Sequence, residues 1–241
     1  MVWKIVAYEL KHTPVLKHVF SLFCLTVTAF IASEFLEVID FSQARQPVML
    51  DILFFFFLSV PLLIVREKSF SLQHVKDTFY VNTFYLLLKQ TPLSSAVICK
   101  SRFLSSAIYT LLFNSYLIAM FFFFSETLRE TLTIREFILL GLNWVIISYI
   151  WGAFVAAADA GYKFKNCFTF VVWSIVYFFA FIAVMTLFNL SFGAPFVVWS
   201  IETVQVNPLL LFALSALVTA VVTIFCLFEY KRYEKRNDYF L

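Results

Sequence analysis

Few residues in this sequence could carry out chemistry, and their spacing fits none of the common catalytic motifs. The three histidines, His12, His18 and His74, form no HExxH arrangement, which a zinc protease would need. The sequence contains no Walker A motif and no GxSxG nucleophile elbow, the signatures of P-loop ATP binding and serine hydrolysis. The four cysteines have no metal-ligand spacing. We therefore expect no enzyme activity, cofactor or metal in this chain by itself.

Ionisable groups are also scarce inside the long apolar stretches of the sequence. Asp51, Glu136 and Asp159 lie at the ends of these stretches, whereas a proton-coupled transporter usually keeps a carboxylate or histidine near the bilayer centre. The most deeply placed amides are Asn114 and Asn143. Such amides commonly form interhelical hydrogen bonds, worth on the order of 1 kcal/mol. The alternative is that both amides line a substrate path, and the sequence leaves the two interpretations open.

The composition identifies lipid as the solvent for much of the chain. Of the 241 residues, 62% are hydrophobic and 14% are charged, and the mean hydropathy is +0.90. Soluble domains are about 45–50% apolar and about 25% charged. Six stretches are long enough to cross about 30 Å of hydrocarbon as helices. These are residues 15–33, 48–65 (with Pro61 inside), 103–124, 137–158, 167–190 and 209–228. We predict one all-α, polytopic membrane domain over residues 1–241, because apolar runs of this length exclude barrel strands.

The distribution of Lys and Arg predicts the orientation of these spans. With the amino terminus inside, fifteen Lys and Arg residues lie in cytoplasmic segments. The outer segments hold three, which are Arg45, Arg129 and Arg135. Both termini are therefore expected in the cytoplasm. The basic residues after the fourth and sixth spans are expected to face anionic lipid headgroups.

Two further segments are predicted to be structured without crossing the membrane. Residues 1–14 mix apolar and charged side chains, which favours a helix in the inner interface with Trp3 at headgroup depth. The alternative is an ordinary charged terminus. Glu9 and Glu67 could pair with basic neighbours, but we interpret them as solvated charges. The long connection over residues 66–102 is predicted to hold two short helices, the first from one apolar face made by Phe70, Leu72, Val75 and Phe79.

The second of these helices is too short to cross a membrane. It should contain Phe84 and the leucines that follow, and it should end before Pro92, with Ser94 as a cap for the next helix. An apolar helix in the cytoplasm needs something to bury it. The protein's own helix ends, the membrane surface and another protein are all candidates.

This connection resembles the coupling region in the permease subunits of bacterial type-2 ABC exporters. Those subunits have an interfacial amino-terminal helix, six spans and a coupling helix between spans two and three. The matching order here is Leu86-Leu87-Leu88, Lys89-Gln90-Thr91, Pro92-Leu93-Ser94, then Lys100 and Arg102, with Glu67 at a position that is often acidic in the family. The resemblance covers most of the chain by architecture and is motif-like in this loop alone. It implies an ATPase-coupling set made of Phe79, Phe84, Leu86, Leu87, Leu88, Pro92, Leu93 and Ser94.

The family also has a re-entrant element between spans five and six on the outer side. Here that segment is 191–206, which is apolar, contains Trp199, and is broken by Gly193 and Pro195. An exposed loop is rarely this apolar. The outer loops are short, so the large extracellular domain of some relatives is missing, as is a carbohydrate-binding extension.

The resemblance implies a permease subunit of an ATP-driven exporter in a bacterial cytoplasmic membrane. It would pair with a second copy or a similar chain, and a separate cytoplasmic ATPase subunit would bind the ATP. Hydrophobic or amphipathic peptides, lipids or drugs are the expected cargo, and no nucleic acid is expected as a partner. The rival hypothesis is a non-transporting immunity, sensor or scaffold protein that acts through helix–helix contacts.

The charge distribution yields a direct test of topology. Single cysteines replace Lys76, Lys235, Glu37 or Glu126 in a cysteine-free background, and intact cells are treated with an impermeant maleimide. We expect labelling at positions 37 and 126 and none at 76 and 235, since the bias of basic residues keeps the latter two inside. Labelling at position 76 without labelling at position 37 would contradict the predicted orientation.

Overall fold

The structure, a computed structural model, describes residues 1–37, 48–76, 79–163 and 167–237. The side chains of residues 75, 76, 163, 167–170 and 173 also lie outside this description. Two basic residues used in the orientation argument, Arg45 and Lys165, are therefore outside it altogether.

Helices make up most of the described chain. In chain order they are α1 (Val2–His12), α2 (Val15–Glu37), α3 (Met49–Val65), α4 (Thr83–Lys89), α5 (Ser95–Tyr109), α6 (Ser115–Phe124), α7 (Glu126–Thr131), α8 (Ile134–Ala158), α9 (Cys167–Phe192), α10 (Phe196–Val206) and α11 (Pro208–Arg236). A π-helical turn, Thr110–Asn114, joins α5 to α6, and a 3₁₀ turn, Lys68–Phe70, follows α3. Three short strands are β1 (Leu72–Lys76), β2 (Phe79–Asn82) and β3 (Tyr162–Lys163).

Five helices in the described residues are long and apolar enough to cross a membrane. They are Val15–Glu37, Ser95–Phe124, Ile134–Ala158, Ser174–Phe192 and Pro208–Arg236. The apolar helices α3 and α10 are shorter, with 17 and 11 residues. The prediction of a mostly helical chain with several long apolar helices is confirmed. The count of six spans and the interfacial position of α1 stay predictions.

Helix α8 lies at the centre of the bundle and contacts α3, α5, α6, α10 and α11. Its Trp144 is fully buried, and the indole Nε1 donates a hydrogen bond to Ser200 Oγ in α10 at 3.0 Å. The ring of Phe54 in α3 lies 4.7 Å from the Trp144 ring, centroid to centroid, in an edge-on arrangement. Near the other end of α8, Ser106 Oγ in α5 donates to the carbonyl oxygen of Gly152 at 2.6 Å. These contacts fix α8 against its neighbours over most of its length.

The prediction of a helix over residues 70–79 is wrong, and so is the all-α description in this detail. The strands form a three-stranded antiparallel sheet in the order β1-β2-β3. In β2, Phe79 and Val81 are buried while Tyr80 between them is exposed, which is the alternation of a half-buried strand. Strand β3 pairs Tyr162 with Tyr80. A partner this far along the chain is invisible to a local search for periodicity.

The second predicted helix of this connection is confirmed as α4. The chain leaves the helix before Pro92, and Ser94 occupies the cap position of α5, although its side chain makes no capping hydrogen bond. The sheet, α1 and α4 lie at one end of the bundle, which we call the sheet end. The end that carries α7 and α10 is called the opposite end.

At the opposite end, α9 continues into a tight turn and then α10. Gly193 has a φ of +75°, a left-handed conformation that glycine adopts without steric cost, and Pro195 precedes the first residue of α10. The segment predicted to be re-entrant is thus the last residues of α9, a turn and a helix. One face of α10 is buried through Val197, Ile201 and Val204. Its depth in a membrane stays a prediction.

The close approach of α5 to α8 depends on Gly152. A Cβ atom at this position would lie 2.8 Å from Thr110 Oγ1 and 2.9 Å from Ser106 Oγ, both closer than real Cβ atoms come. We expect Gly152→Ala to destabilise the protein by about 1–3 kcal/mol, because buried groups must move apart. The matched control is Gly141→Ala, whose Cβ would lie 3.3 Å from the methyl group of Ile118. Thermal unfolding in detergent measures both, and equal melting temperatures would contradict the role of Gly152.

Candidate functional site

Four charged side chains meet at the sheet end and form what we call the ionic cluster. Glu9 comes from α1, Arg66 follows α3, Arg102 lies in α5, and Asp159 follows α8. None of the four exposes more than 3% of its side chain. The two positive and two negative charges cancel formally. Burial of isolated charges costs several kcal/mol each, so a balanced set is the arrangement that physical chemistry requires here.

Arg66 and Asp159 form the most regular pair of the ionic cluster. Arg66 Nη1 donates to Asp159 Oδ1 at 3.2 Å, and Nη2 donates to Oδ2 at 2.8 Å. This two-pronged geometry matches the planar guanidinium to the planar carboxylate. The same Nη2 lies 3.5 Å from Glu9 Oε1. Arg66 therefore joins the end of α3 to the ends of both α1 and α8.

Arg102 completes the cluster from the side of α5. Its Nη2 donates to Glu9 Oε2 at 2.8 Å, and Ser105 Oγ, one turn further along α5, donates to the same oxygen at 2.8 Å. Arg102 Nη1 lies 3.8 Å from Asp159 Oδ2. The guanidinium carbon also lies 5.2 Å from the centre of the Phe84 ring in α4, a cation–π distance. Positive and negative groups thus alternate around a closed ring.

Asn82 connects this ring to α4. Its Nδ2 donates to Asp159 Oδ1 at 2.8 Å and to the Phe70 carbonyl oxygen at 2.6 Å. Its Oδ1 accepts from the backbone N–H of Phe84 at 2.9 Å and of Tyr85 at 3.2 Å, which caps the amino end of α4. One side chain therefore fixes the start of α4 and holds a carboxylate of the ionic cluster.

Electrostatics favour the charged form of Arg66 despite its burial. Burial by itself lowers the pKa of Arg66, but the nearby negative charges of Asp159 and Glu9 raise this pKa by more, with a net upward shift. Hydrogen bonding is incomplete, however. Glu9 Oε1, Arg66 Nε and the Nε and Nη1 of Arg102 have no hydrogen-bond partner among the described residues. The cluster is balanced in charge but not saturated in hydrogen bonds.

A single buried carboxylate, Asp51, plays a comparable role at the opposite end. Its Oδ2 accepts from the backbone N–H of Phe196 at 2.7 Å, and its Oδ1 accepts from that of Val197 at 3.0 Å. These are the first residues of α10. A carboxylate is favoured at a helix amino terminus because unpaired N–H groups and the positive end of the helix dipole meet there. Asp51 thus fixes the start of α10 to the start of α3.

The predicted ATPase-coupling residues are brought together around α4, with two kinds of environment. Phe79 and Leu88 face the protein, and Leu88 is 8% exposed. Leu87 is 60% exposed, and Pro92 and Ser94 are exposed as well. Phe84, Leu86 and Leu93 are partly buried against the second hydrophobic core of the bundle. Their contact with an ATPase stays a prediction.

The two deep amides form interhelical hydrogen bonds. Asn114 Nδ2 donates to Ser148 Oγ in α8 at 2.8 Å. Asn143 Nδ2 donates to Ser215 Oγ in α11 at 2.8 Å and to the Leu211 carbonyl oxygen at 3.1 Å. Both residues are fully buried. That they line a substrate path stays an untested prediction. Trp199, in the predicted re-entrant segment, packs at the opposite end with its ring 5.3 Å from the Phe188 ring.

Sequence reasoning missed the ionic cluster. It treated Glu9 as a solvated charge, which is wrong. It used Arg66 for orientation, and Arg102 for orientation and for the family resemblance. Glu67 does pair at the surface, with Lys17 Nζ at 3.3 Å. A signal for Glu9 was present, because Ile5 and Glu9 lie one helical turn apart and therefore share a face of α1. A carboxylate on the apolar face of a helix needs a buried partner.

The ionic cluster should be sensitive to the loss of any one charge. We expect Glu9→Gln to destabilise the protein by about 3–5 kcal/mol, because it leaves an uncompensated buried positive charge. The control is Glu67→Gln, which removes the partly exposed pair with Lys17 and should cost less than about 1 kcal/mol. Unfolding in detergent measures both changes.

A double variant separates charge balance from packing. Glu9→Gln combined with Arg102→Gln restores a neutral cluster, so it should recover part of the stability lost in Glu9→Gln. If Glu9→Gln is no less stable than Glu67→Gln, the cluster does not hold the helix ends together.

The described residues contain no group of three or more His, Cys, Asp or Glu side chains that could hold a metal ion. At the sheet end the four charged side chains contact one another and connect α1, α3, α5 and α8. Comparisons with protein-family models, with curated proteins and with solved structures find no match for this chain. The functional argument therefore depends on the geometry of the chain itself.

Proposed function

We propose that this chain is the permease subunit of an ATP-driven exporter of the type-2 ABC class and works with a separate cytoplasmic ATPase. One observation carries the proposal. The short helix α4, with Leu87 exposed, is capped by Asn82, and Asn82 is bonded to the ionic cluster. That cluster joins α1 and α5 to the ends of α3 and α8. A force applied to α4 would therefore reach four helices through a chain of direct contacts.

The two faces of α4 support a docking role. Tyr85 and Leu88 bury one face against the bundle, while Leu87 points away from it. Lys89, the last residue of α4, forms an ion pair with Glu234 near the end of α11 and donates to Ser95 Oγ at 2.8 Å. The helix is therefore anchored at both ends and still presents an apolar residue outward. Burial of such a leucine against a partner is worth roughly 1.5–3 kcal/mol.

An energetic argument favours a partner that supplies ATP. Directed export needs a source of free energy, and the sequence carries no Walker A motif. The buried carboxylates near the bundle ends are held by Arg66, Arg102 or backbone N–H groups. Such fixed groups suit a structural role better than a relay of protons.

The membrane arrangement follows from the same proposal. The sheet end would face the cytoplasm, in agreement with the bias of basic residues. Helix α3 would be the second of the six spans, in addition to the five long helices. Its 17 residues give a length of only about 25 Å. Helix α1 would lie in the inner interface, and α10 would re-enter the membrane from outside.

A second permease copy, or a similar chain, would complete the exporter. In α9, the most apolar window is not buried at all within this chain. Lipid or a second permease would cover this surface. The cargo class that fits an apolar and aromatic interior is a hydrophobic or amphipathic peptide, lipid or drug.

The adjacent residues Leu87 and Leu88 provide a matched test of the docking role. We expect Leu87→Asp to fold and insert normally but to lose binding of the ATPase, because charges are costly in an interface core. Leu88→Asp should instead impair folding, since Leu88 is buried in the chain itself. The chain is co-expressed with the Walker-type ATPase that the proposal expects to be encoded beside it, and co-purification and ATP hydrolysis are measured. Pro92→Ala should change the hydrolysis rate more than the binding.

The isolated chain is the control and should show no ATP hydrolysis above background. Robust hydrolysis by the isolated chain, or normal ATPase binding and export by Leu87→Asp, would contradict the proposal. The absence of any ATPase that co-purifies with the unmodified chain would favour the rival class of immunity, sensor or scaffold proteins.

A further inference from the structure

The bundle contains a cavity that does not include any residue of the ionic cluster. It has a volume of about 370 Å³ and lies between α8, α9 and α11, with Tyr162 of β3 at its sheet end. Ligand pockets in proteins commonly enclose about 300–1,000 Å³. The cavity is therefore large enough for a small organic molecule.

One part of this cavity is aromatic. Trp151 and Phe154 contribute from α8, Phe181 from α9 and Phe225 from α11. The Trp151 ring lies 6.4 Å from the Phe154 ring and 6.3 Å from the Phe181 ring, centroid to centroid. Aromatic faces carry negative partial charge, so they attract cations as well as apolar groups.

The other part of the cavity is polar and carries one charge. Glu229 of α11 lines it together with Tyr162 and Tyr233, whose rings are 6.0 Å apart. The Glu229 side chain is 23% exposed, and it accepts a hydrogen bond from Arg232 Nη1 at 3.1 Å. Arg232 itself is more than half exposed and does not line the cavity.

The balance of charge in the wall selects the class of ligand. Among the described residues that line the cavity, Glu229 is the sole carboxylate, and none is Lys or Arg. A phosphate or sulfate headgroup would be repelled by Glu229 and would meet no Lys or Arg among the described residues of the wall. An organic cation would find a carboxylate and several aromatic rings.

We propose that this cavity binds an amphipathic organic cation, with its charge near Glu229 and its apolar groups against Trp151, Phe154 and Phe181. Recognition would combine the carboxylate with cation–π contacts, which strengthen when the ion is desolvated. Arg232 competes with the ligand for Glu229. The use of this cavity as a cargo site rests on the proposed function, but binding to the isolated chain does not.

Two ions of the same shape and opposite charge test the proposal. Tetraphenylphosphonium and tetraphenylborate are dialysed to equilibrium against the purified full chain in nonionic detergent, without any ATPase, and binding to empty micelles is subtracted. We expect the phosphonium to bind one to one and at least about tenfold more tightly than the borate, because a carboxylate favours one charge and opposes the other.

Variants of two neighbouring residues should change the affinity in opposite directions. Glu229→Gln should weaken phosphonium binding on the order of tenfold, whereas Arg232→Gln should strengthen it by releasing Glu229. The control Glu202→Gln removes an exposed carboxylate of α10, outside the cavity, and should leave the affinity unchanged. The two opposite effects cannot both arise from a general loss of folding.

The outcomes separate this proposal from the proposed function. Equal affinity for both ions, or phosphonium binding that is unaffected by both Glu229→Gln and Arg232→Gln, would overturn the cation site. Failure of an ATPase to associate would overturn the exporter assignment and leave the binding result intact. With an associated ATPase, phosphonium should change the rate of ATP hydrolysis in the unmodified chain and do so less in Glu229→Gln.

Discussion

Removal of an arginine or a carboxylate from water costs several kcal/mol, and four such groups are out of water together at the sheet end. Each of Glu9, Arg66, Arg102 and Asp159 comes from a different element, so the position of any one charge fixes the ends of the others. The sheet extends this constraint, since Asn82 at the end of β2 shares the Asp159 carboxylate. Charge neutralisation, and not apolar packing alone, therefore fixes the ends of α3 and α8 against α1 and the middle of α5.

The opposite end of the bundle is fixed by a weaker version of the same principle. Asp51 has two backbone N–H groups of α10 as its hydrogen-bond partners. Helix α3 is therefore attached through a charged side chain at each end. Asp51 lies in its first turn, and Arg66 directly follows its last residue. Pro61 removes one backbone hydrogen bond within α3 and favours a bend between these two fixed ends.

Long-range contacts mark the limit of what the sequence could predict. Apolar length predicted the long helices, and Pro92 and the leucines before it predicted α4, because those signals are local. The β1–β2 hairpin is local, but its apolar residues also approximate one face of a helix. The pairing of β2 with β3 was missed because α4 to α8 separate Tyr80 from Tyr162 along the chain. The ionic cluster was missed for the same reason, since hydropathy counts Arg66 and Arg102 as span-end charges without a partner. The cavity depends on three helices that meet only after folding, so Glu229 gave no signal of its own.

The ionic cluster and the cavity share the last turn of α8. Asp159 holds Arg66 directly after the helix ends, while Ala157 and Ala158, the residues just before it, line the cavity. Ala157 is also buried in the core that surrounds α4. Adjacent residues of one helical turn cannot move independently, because i to i+4 hydrogen bonds and close packing hold the turn as a unit. A change in the partners of Asp159 would therefore act close to the cavity wall, and in the proposed exporter this is the shortest path of contacts from α4 to a bound molecule.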